Sequence, residues 1–433
     1  MSIVEPLLAA PTIGVLGRTW RASVTSWGAV VQWDDLGALD WYVAADDRWH
    51  VPADEPTVRQ TLVDGAPVVE TRLRIPQGDA VQRVYAVADH GGLTVIEVEN
   101  DSPMPIAVAF TGVPLLSLRP PADMEVPGID LPADAVVFPV GHHATLTVAI
   151  AHDGARAGAL PGGLPSAIQV ARGWTVLCER ASRLLVPDES LAQRVVRERC
   201  QLMLDGPADT AAQPVEFLLG VSQLVRMGSV ADEWIPEVAE AVAALVTVRD
   251  HPLLGAAIDA AEHVCVAAGE RRAVRDLAKV RHSLSPGTGV PPRIADGVGL
   301  LVWLERTIAT GADLFPAGIP ADWLGTNFEV YGVPTGPSSS VSFALRWHGE
   351  RPAVLWECTG EPFTLTASLV APDWSSAERT GETLWPMPPG AVPVLPADDE
   401  PDDELAAESE AGQVSPITPA TLIVADGDDI SFS

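Results

Sequence analysis

Val341-Ser-Phe-Ala-Leu-Arg-Trp-His-Gly-Glu-Arg-Pro-Ala-Val-Leu-Trp356 reads as a β-hairpin, and so does Val68-Val-Glu-Thr-Arg-Leu-Arg-Ile-Pro-Gln-Gly-Asp-Ala-Val-Gln-Arg-Val-Tyr85. In each, apolar and polar residues alternate with a period near two around a short turn, the pattern of a strand lying against a core. The stretch between them repeats its apolar residues at helical spacing instead. The order is therefore β-sandwich, helices, C-terminal β-module, an α+β multidomain chain.

Working outward, Trp20–Trp33 reads as two strands, and Leu93–Asn100, a turn and Ile106–Phe110 read as strand, turn, strand. Strands at this spacing, from about Thr12 to Val186, predict a sandwich. The alternation of Val68–Tyr85 around Pro76-Gln-Gly-Asp79 predicts a sheet with one wet face. Leu191, Val195, Val196, Cys200, Met203 and Leu204 then recur at helical spacing, with Asp188 and Glu189 at the positive end of that helix. Further helices are expected near Val215–Met227, Ile235–Val248, Leu253–Ala268, Arg271–Leu284 and Val298–Ile308, and β character returns from Asn327 to Val370. From about Pro388 there is no Lys or Arg, and Asp398-Asp-Glu-Pro-Asp-Asp-Glu404 predicts disorder by self-repulsion, with Thr421–Val424 as a short docking strand. The boundaries are 1–187 for the sandwich, 188–312 for the helical domain, 313–387 for the C-terminal β-module and 388–433 for the acidic tail.

The 433 residues carry a formal net charge of -31, and Lys279 is the only lysine. Nucleic acid is not expected as a partner, because its electrostatic affinity comes from clustered Lys and Arg, and anionic membranes are disfavoured for the same reason. The first ten residues lack the cationic start and apolar core of a secretory signal, and no apolar run is long enough to span a bilayer, so a cytoplasmic protein is expected. Cys178, Cys200, Cys265 and Cys358 are dispersed without CxxC spacing and are expected to be buried free thiols. No GxSxG elbow, P-loop, GxGxxG or HExxH motif occurs, so no cofactor is implied, and Gly162-Gly163 and Gly287-Thr-Gly289 read as loops.

Val69–Arg74, Gly78-Asp79, Arg83–Tyr85 and Val95–Pro103 give the sandwich a resemblance to the N-terminal β-domain of glucoamylase-like glycoside hydrolases. Trp323–Gly325, Tyr331–Pro334 and Ser342–Pro352 resemble a module found beside such enzymes in actinobacterial proteins. The resemblance implies an (α/α)6 barrel of about twelve helices with two carboxylates as general acid and base. Only about half those helices are legible, and no family glutamate maps onto a position here. A degenerate relative is expected: a non-catalytic protein acting through interaction surfaces, as an assembly or regulatory partner. The alternative is a carbohydrate-binding or glycoside-hydrolase-like protein acting on α-glucans or related sugars.

Candidate ligand-binding residues are Arg346, Trp347, His348, Glu350 and Trp356, with Arg351 beside them. They offer an aromatic platform for a sugar ring with charged neighbours for its hydroxyls. The plainer reading makes both tryptophans core, and strand alternation sends Trp347 to the face opposite Arg346 and His348. Gly141-His-His143 and His152 lack a carboxylate or cysteine at ligand spacing, so no metal is expected. His263 and His282 read as surface or capping residues. Among the helical carboxylates Glu198, Glu216, Glu233, Glu237, Glu240 and Glu262, Glu233 beside Trp234 is the most site-like, though with 58 acidic residues chance explains the pairing better. No catalytic residue is assigned.

Overall fold

Short runs of β-branched and small apolar residues, broken by Gly, Pro and Asp, fold the N-terminal part into two seven-stranded sheets. The computed structural model describes residues 10–33, 37–122, 128–154, 156–248, 250–285, 287 and 289–388. The acidic segment and the docking strand expected at Thr421–Val424 lie outside the described residues, apart from Pro388.

The first sheet is built on Ala38–Ala44 and Ile106–Thr111, and the second on Thr145–Ala151, Leu93–Asn100, Gly78–Val87 and Val68–Ile75. Between them lies a core that takes Val24, Trp41, Val43, Val108, Phe110 and Phe138 from one sheet and Leu73, Val84, Ile96, Val98 and Val148 from the other. The predicted N-terminal hairpin is present, in register from Val68↔Tyr85 to Ile75↔Gly78. Pro76 and Gln77 connect its strands, and Gln77 has φ 62°, the sign that a type II turn requires after proline. Leu93–Asn100 and Ile106–Thr111 are strands as read, but they belong to different sheets.

The helices are α1 (Ala167–Glu179), α2 (Glu189–Asp205), α3 (Pro214–Met227), α4 (Ile235–Leu245), α5 (Leu254–Ala267), α6 (Arg271–Leu284) and α7 (Gly297–Ile308). Six match the sequence reading; α1 falls inside the stretch read as β-rich. Its start is a capping box, Ser166 and Gln169 each satisfying the other's backbone N–H. Its apolar residues lie on two sides, Ala171, Trp174 and Cys178 buried but Ile168 and Val176 exposed, which blurs the helical period.

This helix corrects a second expectation in part. The outer face of the second sheet is wet only at one end, where Glu70, Arg72, Arg83 and Glu99 pair with one another, and Arg74 with Asp79, in contact with solvent. At the other end Val68, Tyr85, Val87, Leu93 and Val95 pack against Ala171, Trp174 and Cys178 of α1 and Cys200 and Leu204 of α2. The N-terminal half is thus three layers, sheet, sheet and helix.

The C-terminal hairpin pairs Ser339–His348 with Arg351–Gly360, in register from Ser339↔Gly360 to His348↔Arg351. Gly349 supplies the positive φ (61°) at the first position of a two-residue turn, as a type II′ connection needs. The hairpin sits in a five-stranded sheet ordered Arg183–Leu185, Phe328–Gly336, Ser339–His348, Arg351–Gly360, Thr380–Leu384. The inner face of this sheet, with Phe343, Leu345 and Val354, packs on Leu300, Leu301, Leu304 and Ile308 of α7 and on Leu191 and Val195 of α2. Phe315 and Phe343 meet edge to face at 5.7 Å between ring centres. Because its first strand comes from the link between α1 and α2, the sandwich, helices and C-terminal sheets form one compact unit. Among the described residues, no helix is long and apolar enough to cross a membrane.

Candidate functional site

The pleat of Ser339–His348 divides the residues singled out from the sequence. Trp347 lies on the side of Phe343 and Leu345, half-buried against the core, its Nε1 enclosed without an acceptor among the described residues. Trp356 is buried; its Nε1 donates to the carbonyl of Glu378 at 3.2 Å, and its ring meets Trp374 edge-on at 5.3 Å. Arg346 points the other way and pairs with Glu329. His348 and Glu350 sit at the turn, and Arg351 Nε donates to the carbonyl of Trp385 at 2.9 Å. The structure therefore does not gather Arg346, Trp347, His348, Glu350 and Trp356 into one cluster. Alternation had already separated Trp347 from Arg346 and His348; which side meets the core depends on α7.

The face opposite the core is open. Register places Leu185, Glu329, Ala344, Leu355 and Glu382 in one row across all five strands. Beside it run Arg346, Ala353 and Leu384 on one flank and Glu357 with Thr380 on the other. Leu185, Tyr331, Leu355 and Leu384 are each between 42% and 44% exposed. Arg183 pairs with Glu179 and lies over the Tyr331 ring, whereas Glu357 and Glu382 make no ion pair among the described residues. Apolar residues at the outward positions of central strands set this face apart from an ordinary wet sheet, where polar residues occupy them.

A second polar constellation is buried where α1, α2, α3 and α7 meet. Glu305 of α7 receives a bidentate clamp from Arg226 of α3, at 2.9 Å to Oε2 and 2.8 Å to Oε1. Arg199 of α2 donates to Oε1 at 2.9 Å, the Ser182 hydroxyl to Oε1 at 2.8 Å and Gln223 to Oε2 at 3.2 Å. Arg199 also donates to the carbonyls of Ser182 and Cys178, at 2.6 and 3.2 Å. Burial alone would raise the Glu305 pKa, but the charges of Arg226 and Arg199 and the donated hydrogen bonds outweigh it and hold the carboxyl at about 2. With both oxygens saturated, this carboxylate has no lone pair free for a substrate proton; it is a joint between helices. Glu305 was missed in the sequence. Its signal is a lone acid at i+4 from Leu301 within an apolar helix, on the face that must be buried.

The remaining candidates disperse. His263 is not a surface or capping residue: it is largely enclosed, its Nδ1 3.4 Å from the Ser222 hydroxyl, and burial followed by the Arg226 charge brings its pKa down to about 4. His152 stacks on Trp20 at 3.6 Å, with Nε2 2.9 Å from Thr94 Oγ1, and burial brings it too down to about 4. His142 and His143 stand exposed in a turn, not in a strand, and His282 is exposed in the last turn of α6. Glu233 faces solvent while Trp234 turns inward to meet Phe217 edge-on. Among the described residues, no three His, Cys, Asp or Glu side chains are placed to hold a metal ion.

Both enclosed imidazoles stay neutral in the folded state at pH values where an unfolded chain is protonated. Stability is therefore expected to fall as pH drops from 6.5 toward 4 and to lose this dependence below about 4. Histidine C2-proton NMR titration checks it: the resonances of His152 and His263, assigned with His152→Gln and His263→Gln, should move only near pH 4.

Comparison of the chain with models of known protein families, with curated proteins and with solved structures found no match in any of the three.

Proposed function

We propose that this chain is a non-catalytic protein acting as an assembly or regulatory partner on a glycoside-hydrolase-like scaffold, and that its interaction surface is the open face of the C-terminal sheet. The row Leu185, Glu329, Ala344, Leu355 and Glu382 carries the proposal. An apolar centre with charged residues around it is the anatomy of a protein interface. Glu357 and Glu382, without ion pairs among the described residues, and a net charge of -31 select the occupant: a protein presenting basic residues around an apolar patch. The same charge repels a second copy of this chain.

The test is binding between the full chain and the protein captured with it from its own cells, both purified, against Leu355→Lys and Leu384→Lys. Each substitution removes an exposed apolar contact and adds a charge of the partner's sign without touching the core. Affinity is expected to fall at least about tenfold for each, with wild-type binding weakened by salt. Unchanged affinity in both variants overturns the proposal. A saturable change in tryptophan fluorescence with α-glucan oligosaccharides would favour the sugar-binding alternative instead.

A further inference from the structure

Cys178 in the last turn of α1 and Cys200 in α2 bring their Sγ atoms to 3.5 Å. Both are buried, both are free thiols, and both belong to the core that joins the helical layer to the second sheet. A disulfide needs about 2.05 Å, so closure asks the two sulfurs for a combined approach of about 1.5 Å. Neither of the other cysteines, Cys265 and Cys358, has a cysteine neighbour among the described residues.

We propose that Cys178 and Cys200 form a redox pair that a peroxide oxidises to a disulfide, locking α1 to α2. The two thiols are not equivalent. The hydrogen bond from Cys200 and the charge of Arg199 ease Cys178 below the usual thiol range, although burial opposes this. The same hydrogen bond and burial push Cys200 well up. Cys178 is therefore the attacking thiolate. Its sulfur attacks one peroxide oxygen and the O–O bond breaks. A sulfenic acid forms on Cys178, and the other oxygen leaves as water after taking the thiol proton. Cys200 Sγ then attacks the sulfenic sulfur, the S–S bond forms, and the hydroxyl leaves as a second water with the Cys200 proton. Two thiols have lost two electrons, and one peroxide has been reduced to two waters.

The covalent loop so closed contains Ser182, whose hydroxyl and carbonyl bind Arg199, and the strand Arg183–Leu185 that forms one edge of the C-terminal sheet. Oxidation would hold that edge and the Glu305 joint on one tether.

The experiment treats the folded full chain with hydrogen peroxide, then counts thiols and maps peptides by mass spectrometry. The expected result is a Cys178–Cys200 linked peptide, two thiols lost of four, reversal by dithiothreitol, and an unfolding temperature several degrees higher in the oxidised form. In Cys200→Ser, whose hydroxyl can still donate to Cys178 Sγ, peroxide should leave a sulfenic acid on Cys178 that dimedone traps, with no rise in unfolding temperature. Retention of both thiols in the folded wild type under excess peroxide overturns the proposal. So does oxidation of Cys178 to a sulfinic acid without linkage to Cys200. Both readings use the unaltered chain, so poor folding of a variant does not blunt them.

Discussion

Glu305→Ala is expected to lose about 3–5 kcal/mol of stability, because it leaves two buried cations without their anion. The side chains of Arg199 and Arg226 are only 2% and 12% exposed, and both converge on Glu305 Oε1. Removing the carboxylate makes each arginine the other's nearest uncompensated charge. Replacing the whole group with Arg199→Met, Arg226→Met and Glu305→Leu should recover only part of the loss: no ion is then left in the interior, but the carbonyls of Cys178, Ala181 and Ser182 lose the donors that the arginines supply. Urea unfolding midpoints at neutral pH measure both. A loss under about 1 kcal/mol in Glu305→Ala would mean that water reaches the joint.

The same carboxyl imposes a pH signature. Its folded pKa of about 2 lies below the ordinary 4.5, so the unfolded chain takes up this proton first as pH falls. The contribution, on the order of 3 kcal/mol, is complete above pH 4.5 and drains away as pH approaches 2. The stability gap between wild type and Glu305→Gln should narrow over that window and stay constant above it.

Gly65→Ala is expected to cost about 2–5 kcal/mol, from a left-handed backbone and a collision together. Gly65 has φ 75°, and a Cβ there would lie 2.2 Å from the carbonyl oxygen of Gln193 in α2. The obstacle is helix backbone, which cannot rotate aside as a side chain can. Relief requires moving α2, and with it Val195 against the C-terminal sheet and Cys200 against the second. Gly349→Ala is the matched control: φ is 61° but nothing lies within 4 Å of the added carbon, so the cost should stay near 1 kcal/mol. Equal unfolding midpoints for the two variants would show that α2 yields freely at this contact.

Both hairpins could be read from sequence because pleat and turn reinforce each other: Pro76-Gln77 and Gly349 fix the connections, and alternation fixes the register. The helices α2 to α7 were legible from spacing and breakers, and of the acidic residues placed at the positive end of α2, Asp188 goes further and caps it, its carboxylate accepting from Leu191 N–H at 3.0 Å. What failed depended on distant neighbours. The outer positions Tyr85 and Val87 became dry because α1 and α2, about a hundred residues later, cover them. Trp347 could be placed opposite Arg346, but only the packing of α7 decides which of the two faces is buried. Glu305 was invisible as a site because its meaning lies in Ser182, Arg199, Gln223 and Arg226, supplied by three separate segments. The glycoside-hydrolase likeness drew on strand and turn pattern alone, and pattern at that level is set by pleated geometry as much as by ancestry.

The strand Arg183–Leu185 pairs with Phe328–Gly336, so its partner is synthesised long after it. A chain emerging from the ribosome must carry this edge, Leu184 included, without a ladder partner while the whole of α2 to α7 is being made. Closing so distant a pair is slow, and in the interval the bare edge invites pairing with other nascent chains. Production of this protein is therefore expected to depend on chaperone capacity and low temperature more than on the stability of the finished fold.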